Sequence, residues 1–140
     1  MTFHTDLERG LEIERQCLAI IQRKYPCATI VNAYKGYDIW IPETGKSIEV
    51  KYDAMSKETR RWLIEIEMAK KPSGLLTSTA DIWVLTDGEK WLTVARNALI
   101  AHIMRTGYLL HRVLGAGDSN SKMCYFIPEK DMDQICMRMK

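Results

Sequence analysis

The sequence predicts a mixed α/β (α+β) domain in which a central β-sheet is flanked by helices. Three patterns point to this. Apolar residues recur at helical spacing between Leu7 and Ile21, and again between Leu99 and Met104. Apolar and polar residues alternate strictly from Ser47 to Asp53, as on a strand with two different faces. The run Ile82-Trp83-Val84-Leu85-Thr86 is apolar almost throughout, as in a strand covered on both sides. The element order read from such patterns is α-β-β-β-loop-β-β-β-α-β-β-α. A length of 140 residues fits one domain, 1–140, with a substantial core.

Asp6 to Lys24 is predicted to be an amphipathic helix. Leu7, Leu11, Leu18 and Ile21 form one stripe, which Ile13, Cys17 and Ile20 widen. Thr5 or Asp6 is placed to cap its start, and Pro26 lies just past its end. Glu14 interrupts the stripe between Leu11 and Leu18. A carboxylate on a core-facing stripe is costly unless something pairs with it. Two readings stand: Glu14 is the stripe's edge, reaching solvent or an arginine, or it is an acid aimed at a site on the sheet. Ala28 to Tyr34 is β-rich and predicted as the first strand, and Lys35-Gly36 turns the chain.

The chemistry gathers in the stretch Lys35 to Asp53. Tyr37 to Ile41 reads as a strand, Pro42-Glu43-Thr44-Gly45 as a tight turn, and Ser47 to Tyr52 as the returning strand. Ile48, Val50 and Tyr52 share one face; Ser47, Glu49, Lys51 and Asp53 share the other. In the simplest hairpin register Asp38 lies across from Glu49 and Lys51. Converging carboxylates repel one another, so a cation must hold them together. Hard oxygen ligands suit Mg²⁺, Mn²⁺ or Ca²⁺ rather than Zn²⁺.

Ala54 to Glu58 is predicted as a polar loop. Trp62 to Glu67 alternates as a strand, and Glu65 and Glu67 fall either on a solvated face or beside the acids of the hairpin. Lys70-Lys71-Pro72-Ser73-Gly74 is a basic turn, either solubilising or placed to meet phosphate. Leu75 to Asp81 is read as a brief helical turn. Asp87-Gly88 is a hairpin signal between Ile82–Thr86 and a partner strand Trp91–Val94. Ala95 to Arg105 is predicted helical, with Leu99, Ile100, Ile103 and Met104 inward and Gly107 as its stop. Two further strands, Tyr108–Leu114 and Met123–Ile127, flank a loop over residues 115–121, and a closing helix runs from Pro128 to Met139. The Gly-x-Gly of that loop lacks a third glycine and opens a strand, which excludes a dinucleotide site.

The formal net charge of +2 is compatible with a nucleic-acid partner without demanding one. Acidic and basic residues interrupt the first segment, so no signal-peptide pattern is present, and no run is long and apolar enough to cross a bilayer. Cys17, Cys27, Cys124 and Cys136 are scattered, away from zinc-ligand spacing with any of His4, His102 and His111. The expectation is reduced thiols in a cytoplasmic protein without a membrane role.

The pattern Asp38-x10-Glu49-x-Lys51 on a hairpin resembles the active-site signature of the PD-(D/E)XK nuclease superfamily, which includes type II restriction enzymes and archaeal Holliday-junction resolvases. Gly10-Leu11-Glu12-Ile13-Glu14-Arg15 looks like the Gly-x-x-x-Glu-Arg start of the first helix of archaeal-type resolvases. Tyr37 stands where the signature often has Pro, and the supportive helix motif that follows the Glu-x-Lys strand in resolvases is absent. Within the superfamily the pattern is closest to the archaeal-type resolvases, and the missing helix motif is a departure from that subfamily rather than from the superfamily. It implies a restriction-endonuclease-like core and metal-dependent hydrolysis of DNA, structure-selective as in the resolvases. Asp38, Glu49 and the backbone carbonyl of Val50 would hold Mg²⁺, with Mn²⁺ as substitute. Lys51 would orient the attacking water or stabilise developing charge, and Glu14 would orient Lys51 or join the metal. The candidates for contact with DNA phosphates are Lys57, Arg60, Arg61, Lys70, Lys71, Arg112 and Lys122. A homodimer is expected, because cutting two strands calls for two sites. The alternatives are a nucleic-acid-binding module on the same fold that does not cut, and a small interaction protein whose acids are surface residues.

Overall fold

The computed structural model describes residues 3–31, 36–114 and 121–139. Helix α1 (Phe3–Gln22) leads into a short strand β1 (Thr29–Ile30) and the hairpin β2 (Ile39–Ile41) and β3 (Lys46–Tyr52). Asp53 then starts a one-turn helix, α2 (Ser56–Thr59), where a polar loop is expected from the sequence. Its Oδ1 accepts the Met55 N–H at 3.1 Å, and its carbonyl accepts the Ser56 hydroxyl, so an aspartate turn nucleates the helix. Strands β4 (Arg61–Met68) and β5 (Lys71–Pro72) and a 3₁₀ turn (Gly74–Leu76) follow, then β6 (Ile82–Thr86) and β7 (Trp91–Ala95). Helix α3 (Arg96–Thr106), strands β8 (Leu110–Leu114) and β9 (Ser121–Pro128), helix α4 (Glu129–Ile135) and strand β10 (Met137–Arg138) complete the chain.

The strands form two sheets. The central one has 6 strands in the order β1-β2-β3-β6-β7-β10, and the second has 4 in the order β5-β4-β9-β8. The central sheet is mixed: β3 and β6 run parallel, with Glu49 opposite Trp83 and Lys51 opposite Leu85, while its other pairs are antiparallel. One core, built on Cys17, Ile21, Ile39, Ile48 and Val84, joins α1 to the central sheet. The other, built on Trp62, Ile64, Trp83, Leu85, Leu99, Ile127 and Met132, joins both sheets to α3 and α4. Residues of β6 alternate between the two cores, which is why its sequence is apolar on both faces.

Several expectations are corrected. Helix α1 begins at Phe3, so Thr5 and Asp6 lie inside it and do not cap it. Its buried line is Ile13, Cys17 and Ile21, whereas Leu7 and Leu11 are 52% and 42% exposed. At about 100° per residue, Leu7 and Leu11 sit roughly 80–120° round the helix from Cys17, beyond the reach of the sheet, and Glu14 lies at about 60°, on the flank between. Met104, expected inward, is 78% exposed, because α3 packs along Leu99 and Ile103 and the next residue turns away. The closing helix stops at Ile135, and Met137–Arg138 pair instead with Thr93 and Leu92. This covers the edge of β7, whose N–H and C=O groups need partners. The last two long strands join β4 in the second sheet: β9 pairs with β4 and β8 with β9. Of the strand expected over Ala28–Tyr34, residues 32–34 lie outside the described residues, as do residue 35 of the turn that follows and most of the predicted loop, 115–120.

Candidate active site

The site is built on the end of the first hairpin. Ile39 faces Ile48, Trp40 faces Ser47 and Ile41 faces Lys46, with Gly45 taking φ +68° in the turn. Past the end of β2 the register slips by one: the Asp38 N–H donates at 2.8 Å to the carbonyl of Ile48, already the partner of Ile39, and the Asp38 carbonyl accepts the Val31 N–H at 2.8 Å. Asp38 is thereby tied to β3 beside Glu49. Its carboxylate turns along the sheet edge, and Oδ2 accepts the Val50 N–H at 2.8 Å. The N–H and C=O of one strand residue face the same edge, so the Val50 carbonyl faces this side too.

Asp38 acts electrostatically on the acids on either side of it. The Glu49 side chain is 13% exposed, and its carboxyl is pushed up to about 7. Burial contributes most, followed by the Asp38 charge; Lys51 opposes them, a hydrogen bond with Asp38 favours the protonated form, and the Ser78 hydroxyl favours the ionised one. Glu14 is also raised, by burial first and by Asp38 next, with Arg15 opposing. Burial pushes the Cys17 thiol up to about 12, helped by Asp38 and Glu14. Helix α1 therefore brings Glu14, and Cys17 one turn further on, within electrostatic reach of Asp38. Lys51 belongs to the other side of the group: its Nζ lies 3.7 Å from Glu49 Oε2 and 5.5 Å from the centre of the Trp83 ring. The structure brings Glu14, Asp38, Glu49 and Lys51 into one neighbourhood, in which Glu14 borders Asp38 rather than Lys51.

Beside Lys51 opens a cleft of about 220 Å³ between β3 and β4, lined by Lys51, Tyr52, Asp53, Leu63, Glu65 and Trp83 among others. Glu65 is neither solvated nor part of the acid group. Its Oε2 accepts the Ser73 hydroxyl at 2.7 Å, and Lys122 Nζ lies 3.5 Å from Oε1. The basic turn is held against β4 because Gly74, at φ +53°, presses on the Glu65 backbone; a Cβ there would lie 2.2 Å from the Glu65 carbonyl oxygen. The basic candidates are dispersed. Arg61 stacks over Phe126 at 3.9 Å on the face of the second sheet that also carries Leu63 and His111. Lys122 pairs with Glu65, which lines the cleft, and Lys70 and Lys71 are exposed at the β4–β5 turn. Arg112 bonds Ser121, Lys57 pairs with Glu89, and Arg60 pairs with Glu129 around a separate cavity.

Sequence reasoning misses Ser78 and Trp83. Ser78 contacts Glu49 from 29 positions away, out of a Thr-Ser-Thr stretch within the segment that reads as a brief helical turn and carries no site pattern. Among the described residues no three His, Cys, Asp or Glu side chains close into a metal-ligand group, and no helix is long and apolar enough to cross a membrane. No protein-family model, no curated protein and no solved structure matches this chain.

Proposed function

We propose that this chain is a divalent-metal-dependent endonuclease that hydrolyses DNA phosphodiester bonds, on a restriction-endonuclease-like core. One observation supports it above the others: hydrogen bonds to Ile48 and Val50 tie Asp38 to β3 beside Glu49, so closely that burial and the Asp38 charge push Glu49 up to about 7. Such an arrangement opposes its own ionisation, and a hard cation relieves it. Two carboxylates with the Val50 carbonyl on the same edge fit Mg²⁺, or Mn²⁺ in its place, which keeps several waters and needs no third acidic side chain. When bound, the metal would acidify the attacking water and offset charge on the phosphate.

The chain's own residues do the rest. Asp38 and Glu49 hold the charge that attracts the cation. Lys51, braced by Glu49 and the Trp83 face, presents an ammonium to a phosphate oxygen or to the nucleophile. Glu14 adds a further negative charge beside Asp38. Lys122, paired with the cleft residue Glu65, and Arg61, on the same strand as the cleft residue Leu63, would meet a strand passing along the cleft, with Lys70 and Lys71 on the β4–β5 turn. Cutting both strands of a duplex or a junction takes two copies, so the working form is a homodimer.

The test is Mn²⁺-dependent nicking of supercoiled, branched and single-stranded DNA, with RNA as a control. Metal-dependent cleavage abolished by EDTA supports the reading. Binding without cleavage on every substrate leaves a non-cutting module on the same fold, and neither binding nor cleavage removes nucleic acid altogether.

A further inference from the structure

We infer that Ser78 is a positioning residue that fixes Glu49 directly and Lys51 through the Trp83 ring; this rests on the nuclease reading. Ser78 is 5% exposed and lies in the connection between the 3₁₀ turn and β6. A hydroxyl offers one proton and two acceptor positions. Both acceptor positions are taken: Trp83 Nε1–H donates to Ser78 Oγ at 3.1 Å and the Ala80 N–H at 3.2 Å. The hydroxyl proton must therefore go outward, and two acceptors lie within reach, the Gly36 carbonyl and Glu49 Oε1, each at 3.4 Å. The Gly36 carbonyl already accepts the Thr79 N–H at 3.0 Å. A carboxylate is also the stronger acceptor, so the Ser78 proton is directed to ionised Glu49.

The same oxygen sets the second group. Trp83 is 1% exposed, and its indole N–H is held by Ser78 while its ring lies under the Lys51 ammonium. One buried hydroxyl thus links the acid and the ammonium two residues apart on β3. A serine that merely closed its loop would need the Ala80 bond alone.

The test has two arms. In the metal-free protein, the Trp83 indole ¹H–¹⁵N resonance, assigned with Trp83→Phe, reports the relay. Glu49→Gln should displace it when Ser78 is present and leave it unmoved in a Ser78→Ala background; equal displacement in both overturns the inference. In the Mn²⁺-loaded protein, Ser78→Ala should lower kcat by about tenfold or more and raise the Mn²⁺ midpoint, with the KM for DNA unchanged, as expected for a group that supports a metal ligand. Ser78→Thr should restore most of the rate. If the wild type cuts and Ser78→Ala cuts equally fast, the inference fails while the nuclease reading stands. If the wild type cuts nothing, the nuclease reading fails and the positioning role with it, whatever the resonance does. Should Ser78→Ala not fold, Ser78→Cys keeps the volume with a poorer hydrogen-bonding group and serves both arms.

Discussion

Two clusters of charged side chains in this molecule differ in the sign of their members. Around Glu129 the charges alternate: Arg60 Nε lies 2.8 Å from it, Lys90 Nζ 3.6 Å, and Lys90 reaches on to Asp133 at 3.0 Å. Each charge has an opposite neighbour, and together they tie α2 and the β6–β7 turn to α4. Around Asp38 the charges repeat, with Glu14 and Glu49 both raised by it and Lys51 alone opposing on the Glu49 side. The balanced cluster borders the larger cavity, about 390 Å³, and the cleft beside Lys51 measures about 220 Å³. Cavity size therefore points away from the candidate site, and the sign pattern points to it. A closed network needs no ligand, whereas like charges held close by the fold are relieved by a cation.

The sharpest way to break this comparison is to cut one acid from each cluster. Asp38→Asn should lower cleavage by on the order of 10³-fold while leaving the melting temperature unchanged or higher, since a repelling charge is gone and an acceptor for the Val50 N–H is kept. Glu129→Ala should leave the rate of the folded protein within about twofold but reduce stability by roughly 1–2 kcal/mol. Most of that falls on Lys90, whose side chain is 14% exposed; the share of Arg60, 73% exposed, is small. Single-turnover kinetics with Mn²⁺ and urea unfolding separate the two outcomes. Equal loss of cleavage in both variants would mean that the clusters do not differ in kind.

Glu14 tests how far the like-charge cluster extends. Glu14→Gln keeps the shape and removes the charge next to Asp38. Cleavage should fall by roughly 10–10²-fold with the fold intact. Added Mg²⁺ should then protect the variant from heat less than it protects the wild type, because a ligand bound only by the native state stabilises it. Wild-type rate and an unchanged Mg²⁺ response would confine the site to the hairpin.

What the sequence disclosed follows from what is local. The hairpin was legible because its turn and its period of two lie within Tyr37–Tyr52, and Ile82–Thr86 because a doubly covered strand is apolar throughout. Glu14 stood out as the one acid on a helical stripe. The second sheet was not legible, because β4 finds its partner β9 more than fifty residues later and nothing in either strand names the other. The burial of Ser47 was missed for a similar reason: alternation put it on the polar face, but Asp81, far along the chain, takes its N–H at 2.9 Å and its hydroxyl at 3.1 Å. The end of α4 went the same way, since the open edge of β7 claims Met137 and Arg138. Periodicity gives the faces of an element; it does not say which element will cover them.

The smallest expected effect concerns pH, and it gives the two clusters opposite signs. Glu49 is raised from an ordinary 4.5 to about 7 in the folded protein. Between these values the folded state holds a proton that the unfolded state has released. The stabilisation from that proton is present in full below about 4.5 and is lost as pH rises through about 7. At 1.36 kcal/mol per unit the shift corresponds to an upper bound near 3 kcal/mol, which the coupling to Asp38 reduces to on the order of 1–2. Glu49→Gln is neutral at every pH and keeps the shape. In the metal-free protein its melting temperature should match the wild type near about pH 4.5 and exceed it by a few degrees near about pH 8. Mg²⁺ should close that gap at the higher pH by stabilising only the wild type. Glu129→Gln, which removes a charge from an alternating network, should melt lower than the wild type at about pH 8, with no gain from Mg²⁺ beyond that of the wild type. Calorimetry of the three proteins at both pH values, with EDTA and with Mg²⁺, measures each difference directly. A Glu49→Gln protein that melts below the wild type at about pH 8 without metal would show that Glu49 is held by its partners rather than opposed by them, and the contrast between the clusters would then rest on Glu14 and Asp38 alone.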